Sequence, residues 1–186
     1  AQKAGVPGDK IVFSGVGKTH DEIKLALSNG IRQFNVESIP EIMMINKIAA
    51  TIGKKAPISI RVNPDVDAQT HEKIMTGKLE NKFGIPINSA LEVYKIASEL
   101  NSIDIVGIDL HIGSQITDIQ PFETAFLKIA IFIKKLREEG HLIDRVDIGG
   151  GLGISYSTKE DDPISIDKFS SMLDKTFNKM NIEIQL

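Results

Sequence analysis

The chain has 186 residues, 41% hydrophobic and 25% charged, the proportions of one soluble globular domain large enough to bury a core. The absence of cysteine excludes thiolate catalysis, iron–sulfur ligation and cysteine-type zinc sites, and it fits a reducing compartment. A net charge of −3 gives no basic excess for a nucleic-acid backbone, and no apolar run approaches the ~20 residues that span a bilayer, so neither nucleic acid nor membrane is an expected partner and the cytoplasm is the expected address.

Short β-branched runs alternate with amphipathic helical stretches from end to end, the pattern of successive βαβ units. The first strand is expected at Ile11 to Ser14. Gly15-Val16-Gly17-Lys18-Thr19 follows and resembles the end of a phosphate-binding G-x-x-x-x-G-K-[ST] loop, but position 12 is Val12, so the residues read as a strand-to-helix turn. Thr19-His20-Asp21-Glu22 is a capping box, Ile23, Ala26 and Leu27 form an apolar stripe, and Gly30 closes the helix. A strand at Arg32 to Glu37, a helix at Ile39 to Ile52 and a strand at Pro57 to Asn63 come next. Pro64-Asp65-Val66-Asp67 turns the chain outward, and Lys82-Phe83-Gly84-Ile85 reads as a loop, either a packed anchor or a wall of a site.

A helix at Asn88 to Leu100 leads to the longest strand, Asp104 to Ile112. The clearest helix is Pro121 to Glu139, with Phe122, Phe126, Ile129, Ile133 and Leu136 spaced alternately by four and three, Pro121 in its first turn and Gly140 at its end. A strand at Arg145 to Gly149, a helix at Ile166 to Met180 and a strand at Ile182 to Leu186 complete the series. Because it starts at Ala1 and stops inside a strand, the chain reads as cut at both ends.

Four strands share one alternation. Phe34 and Val36 oppose Asn35 and Glu37; Ile58, Ile60 and Val62 oppose Ser59, Arg61 and Asn63; Val106, Ile108 and Leu110 oppose Gly107, Asp109 and His111; Val146 and Ile148 oppose Asp147 and Gly149. A doubly wound sheet, covered by helices on both faces, needs strands that are apolar on both. A (β/α)₈ barrel resolves the conflict, because its outer face packs on helices while inner positions near the C-terminal mouth carry the site. A full barrel takes about 250 residues, so an incomplete one is expected.

Several residues at that mouth invite chemistry. Gly149-Gly150-Gly151-Leu152-Gly153 does not complete a dinucleotide fingerprint in any frame, but four glycines directly after a strand let peptide N–H groups approach an anion, and phosphate is the favoured one. His111 ends a strand beside small residues, Gly113 and Ser114, and can stack on a planar ring or act as a base. His20, His71 and His141 read as structural. No HExxH or clustered ligand spacing occurs, so no metal is expected. Arg61 puts a guanidinium on the inner face, where it needs a carboxylate such as Glu37 or an anionic ligand oxygen.

Six phrases in order, FSGVGKT (Phe13 to Thr19), FNVES (Phe34 to Ser38), RVNPDVDAQTH (Arg61 to His71), KFGI (Lys82 to Ile85), HIGSQI (His111 to Ile116) and GGGLGISY (Gly149 to Tyr156), resemble the diaminopimelate decarboxylase family. The resemblance implies a fold-type III enzyme with an alanine-racemase-like barrel and pyridoxal 5′-phosphate as cofactor. Such an enzyme converts meso-diaminopimelate, its small-molecule substrate, to L-lysine and CO₂ as a homodimer with shared active sites. By that resemblance His111 stacks on the pyridine ring, Ser114 and the amides of Gly149, Gly150, Gly151 and Gly153 hold the phosphate, and Arg61 lies near the ring substituents. Residues 1–186 then form the central part of the barrel. The Schiff-base lysine, the glutamate of a Glu-Pro-Gly-Arg phrase, the cysteine-bearing segment lent by a partner subunit and the C-terminal β domain have no counterpart in the chain, which implies that this piece alone is inactive. Two other readings stay open at this point: an ornithine- or arginine-type decarboxylase, and a cofactor-free phosphate-binding barrel enzyme.

Overall fold

The computed structural model describes residues 1–66, 83–154, 163–178 and 180–185, with residues 184 and 185 described by their backbone alone. Asp67, His71, Lys82, Tyr156 and Leu186 lie outside the described residues. Strand β1 (Val12–Phe13) leads through helix α1 (His20–Ser28) to β2 (Gln33–Val36), then through α2 (Ile39–Thr51) to β3 (Ala56–Asn63). After β4 (Ile85–Pro86) and α3 (Ile87–Ser98) come β5 (Ile103–Asp109), α4 (Gln120–Glu138), β6 (Arg145–Asp147), α5 (Ile166–Phe177) and β7 (Glu183–Gln185). All five helices and all six strands expected from the sequence are present, most of them trimmed by a residue or more at their ends.

The strands pair in parallel in the order β1-β2-β3-β5-β6-β7. That order follows the chain without reversal, whereas a doubly wound sheet reverses at a switch point. The sheet also curls. Strands β2 and β6 have β3 and β5 between them, about 14 Å in a flat sheet at ~4.8 Å per spacing. Yet Asn35 Nδ2 of β2 donates to Asp147 Oδ2 of β6 at 2.7 Å. At the opposite end, Arg32 beside β2 pairs with Glu183 of β7. The fold is an incomplete (β/α)₈ barrel.

One expectation changes. Ile85 was read as part of a loop, but Ile85–Pro86 forms β4 and pairs with Val62 and Asn63 at the C-terminal end of β3. Two residues are too few for periodicity to reveal, and the pairing depends on a partner strand more than twenty residues earlier.

Local signals explain the helix ends. Thr19 accepts from the Glu22 amide while the Glu22 carboxylate takes the Thr19 N–H at 2.9 Å, a reciprocal capping box. Gly30 N–H and Ile31 N–H return to the carbonyls of Leu27 and Ala26, a Schellman closure, and Gly140 and His141 repeat it on Arg137 and Leu136. The five apolar positions expected to face inward on α4 are all at most 1% exposed. They pack on the outer face of the sheet, where Phe34, Ile58, Ile60, Ile108 and Val146 are completely buried. A bulge between Ile58 and Ser59 on one side and Ile105 and Gly107 on the other bends the central pair.

Phe126 lies in contact with the rings of Phe122, Phe169 and Phe177 at centroid distances of 5.9, 6.1 and 6.0 Å. Phe126→Ala is therefore expected to cost about 3–5 kcal/mol in urea unfolding. Replacing its exposed neighbour, Leu127→Ala, should change stability by no more than about 0.5 kcal/mol in the same titration.

Candidate functional site

At the C-terminal rim, alternate side chains of β2, β3, β5 and β6 converge on the barrel interior. Val12, Asn35, Arg61, Asp109, His111, Asp147 and Gly149 are among the residues that line a cavity of about 500 Å³. That size lies within the ~300–1,000 Å³ typical of small-molecule sites. Arg61, His111 and Gly149, separated by up to 88 positions in sequence, thus share one cavity.

Arg61 donates from Nη1 to Glu37 Oε1 at 2.9 Å, and its Nε stands 4.0 Å from Asp109 Oδ2. The carboxylate anticipated for it is present, but the pairing is incomplete. Among the described residues, buried Arg61 Nε, Glu37 Oε2 and Ser59 Oγ have no hydrogen-bond partner. Phe83 lies beside the guanidinium, 5.9 Å from ring centroid to Cζ, and Gly84 leaves room for the Arg61 stem, whose Cγ would be 3.1 Å from an added Cβ.

The interior holds more carboxyl groups than cations. Burial first, then the Asp147 charge, push the Asp109 pKa up to about 8, with Arg61 opposing. Asp109 is accordingly protonated over most of the neutral range. His111 is exposed, yet its pKa is lowered, by burial first and then by the Arg61 charge. A neutral imidazole results at neutral pH.

The glycine run is fixed to the loop after β5. Ile116 N–H donates to Gly151 O and Gly153 N–H to Ile116 O, both at 2.9 Å. Gly149 adopts φ +65°, and a Cβ there would sit 2.4 Å from Leu110 O. Gly151 has φ +107°, and its Cβ would sit 2.0 Å from Gly113 O, beside Ser114. Backbone-to-backbone contact requires glycine at both positions.

The four amides differ in their engagement. Gly149 N–H donates to Asp147 Oδ1 at 3.0 Å and Gly153 N–H is committed to Ile116. Gly150 N–H makes a long 3.4 Å approach to His111 Nδ1, and among the described residues Gly151 N–H has no hydrogen-bond partner. Of the four amides expected to face an anion, those of Gly149 and Gly153 are hydrogen-bonded within the protein, and those of Gly150 and Gly151 are the least engaged.

Lys18 had been read as part of a turn. Its side chain is instead 1% exposed, with Nζ donating to Gly15 O, Asn35 O and Glu41 Oε1 at 2.6, 2.7 and 2.6 Å. Three acceptors saturate its three donors, so this buried ammonium clamps the rim and is not a nucleophile. Nothing in the local sequence distinguishes such a clamp from a solvated turn residue. Asn35, Asp109 and Asp147 were legible as inner-face polar positions, but their contacts with one another were not.

The family described as "Pyridoxal-dependent decarboxylase, pyridoxal binding domain" matches residues 1–185. The chain belongs to that family. It is 50% identical over 183 residues to the diaminopimelate decarboxylase of Haemophilus influenzae, covering 98% of this chain and 44% of that protein. Vibrio cholerae diaminopimelate decarboxylase is 52% identical over 153 residues, 82% of this chain and 37% of that one. Among solved structures, diaminopimelate decarboxylase from Helicobacter pylori complexed with L-lysine superposes with a TM-score of 0.91 at 40% identity, covering 99% of this chain and 46% of that one. Lysine/ornithine decarboxylase from Vibrio vulnificus shares the fold, with a TM-score of 0.77 at 23% identity over 99% of this chain and 45% of that one. The chain spans less than half the length of these relatives. Membership of a pyridoxal-binding family removes the cofactor-free barrel reading. Among the described residues, no helix is long and apolar enough to cross a membrane.

Gly150 has open space where a Cβ would go, whereas Gly151 does not. Thermal melts should therefore show Gly150→Ala within about 0.5 kcal/mol of the parent and Gly151→Ala destabilised by more than about 2 kcal/mol. Asp109 makes a second forecast. An acid whose pKa is raised on folding supports the fold fully below its unfolded value near 4, and that support is lost as pH rises through about 8. Chemical unfolding across pH 4–9 should show stability declining over this window, with a flatter profile for Asp109→Asn.

Proposed function

We propose that this chain is the cofactor-holding part of an enzyme that decarboxylates meso-diaminopimelate to L-lysine and CO₂, with pyridoxal 5′-phosphate bound in the cavity between His111 and the glycine run. The convergence of Arg61, His111 and Gly149, the first residue of the glycine run, on one cavity carries this reading. When bound, the cofactor supplies an electron sink for the carbanion left when CO₂ departs.

The residues present fit that group. His111, neutral at neutral pH, offers a flat ring that stacks without adding positive charge beside a pyridinium. Gly150 and Gly151 offer peptide N–H groups, and Ser114 next to Gly151 adds a hydroxyl, a donor set suited to a phosphate dianion. Arg61 lines the cavity and is held there by Glu37, which places its guanidinium near the ring substituents. The identity of 50% to a diaminopimelate decarboxylase, against 23% to a lysine/ornithine decarboxylase, favours the diamino diacid over ornithine or arginine as substrate.

In this reading residues 1–186 are the central part of the barrel, and the Schiff-base lysine, the pyridinium partner and the C-terminal β domain come from elsewhere in the complete polypeptide. The homodimer and the cytoplasmic address belong to the same reading. Its support is the likeness to diaminopimelate decarboxylases.

The complete protein, supplied with pyridoxal 5′-phosphate and meso-diaminopimelate, should release lysine and CO₂ in equal amounts; no lysine from a cofactor-loaded protein would refute the substrate assignment. His111→Ala should weaken cofactor binding roughly two- to twelvefold, the equivalent of about 0.5–1.5 kcal/mol of ring contact. Fluorescence titration of the apoprotein measures it, and an unchanged affinity would remove the stacking role.

A further inference from the structure

One buried contact crosses the barrel between two residues that line the cavity. Asn35 on β2 is 1% exposed, and its Nδ2 donates to Asp147 Oδ2 on β6 at 2.7 Å. The other oxygen, Asp147 Oδ1, accepts from Gly149 N–H at 3.0 Å. One carboxylate therefore joins β2 to the first peptide of the glycine run.

The amide of Asn35 is held in this orientation from two sides. Its Oδ1 accepts from Gln33 Nε2 at 2.9 Å, which leaves Nδ2 for Asp147. Its backbone oxygen accepts from the buried Lys18 ammonium at 2.7 Å, fixing the end of β2 itself. Gly149 is equally restricted, with Leu110 O and His111 Nδ1 at 2.4 and 3.0 Å from the place of a Cβ. With the Gly149 N–H drawn inward, the Gly150 amide keeps only its long 3.4 Å approach to His111 Nδ1, and among the described residues the Gly151 amide has no hydrogen-bond partner.

We propose that Asn35 is a positioning residue for phosphate recognition: through Asp147 it sets the Gly149 peptide, and thereby the amides of Gly150 and Gly151 that receive the phosphate group. The proposal rests on the reading of the glycine run as a phosphate cradle. Asn35 acts by supplying one hydrogen to an acceptor-only carboxylate. Without that hydrogen, a largely buried oxygen loses its partner, and Asp147 must turn, taking the Gly149 amide with it.

The comparison of pyridoxal 5′-phosphate with pyridoxal, which lacks the phosphate, separates this role from general support of the fold. Both are titrated into the complete apoprotein at pH 8, in the parent, in the isosteric Asn35→Asp variant and in Asn35→Ala, after melting curves establish that each is folded. The parent should prefer the phosphorylated form strongly. Both variants should lose about tenfold or more of that preference, with pyridoxal affinity changed less than about threefold. Asn35→Asp should regain preference relative to the parent as pH falls, because a protonated aspartic acid again donates to Asp147. Equal weakening of both ligands, or undiminished preference in the variants, overturns the role of Asn35 while leaving the cradle intact. A parent that binds the two ligands alike overturns the cradle reading itself, and this inference with it.

Discussion

The interior of a curled parallel sheet is too narrow for a covering helix, so its inward polar side chains are matched chiefly to one another, between neighbouring strands and across the barrel. This constraint organises the molecule. Glu37, Ser59, Arg61, Asp109 and Asp147 project from successive strands into one space where only Arg61 among them carries positive charge. The balance is reached by keeping a proton on Asp109, by tying Asp147 to two N–H donors and by pairing Glu37 with Arg61. Neutralising one acid and hydrogen-bonding another costs less than burying three free carboxylates around one guanidinium. The arrangement also holds the curvature, since the Asn35 to Asp147 contact exists only when strands three positions apart approach each other.

Above this floor the chemistry changes sign. The rim around the glycine run is built from peptide N–H groups and an imidazole. Asp147 is the boundary: both of its oxygens are engaged by Asn35 and Gly149, so it supports the glycine turn from beneath without competing for what binds above. The interlock of the two loops through Ile116, Gly151 and Gly153 then makes the position of His111 and that of the glycine run a single geometric fact. On the proposed function, an imidazole and a run of peptide amides held by one interlocked loop pair suit a ligand that has a flat ring and a phosphate at fixed separation.

The parts of this that were legible in the sequence share a short range. Period-two alternation on four strands announced the barrel and its polar interior, the capping box and the glycine closures placed the helix ends, and the spacing along α4 identified its buried face. What was not legible depends on partners far along the chain. Strand β4 is two residues long and exists because Val62 and Asn63 offer it a ladder. Lys18 read only as part of a strand-to-helix turn because two of its three acceptors are brought to it by β2 and α2. The unequal roles of the four glycines could not be read either, since composition shows where a backbone can approach but not which N–H is already taken.

The buried lysine illustrates why a sequence motif needs its structural context. Gly-Lys-Thr after a strand evokes a loop wrapped round a phosphate, with the ammonium reaching the anion. Here the same three residues close a turn inward. The ammonium is consumed by two peptide oxygens and Glu41, whose other oxygen takes the Glu37 N–H at 2.8 Å. Glu37 in turn holds Arg61. A cation that in another setting would bind ligand thus acts from behind the cavity wall, bonding Gly15 and Asn35, which line it, and fixing the strand end that carries both Asn35 and Glu37. The molecule separates the charge that secures its rim from the donors left open at its mouth, and the second set can stay unpaired because the first is saturated.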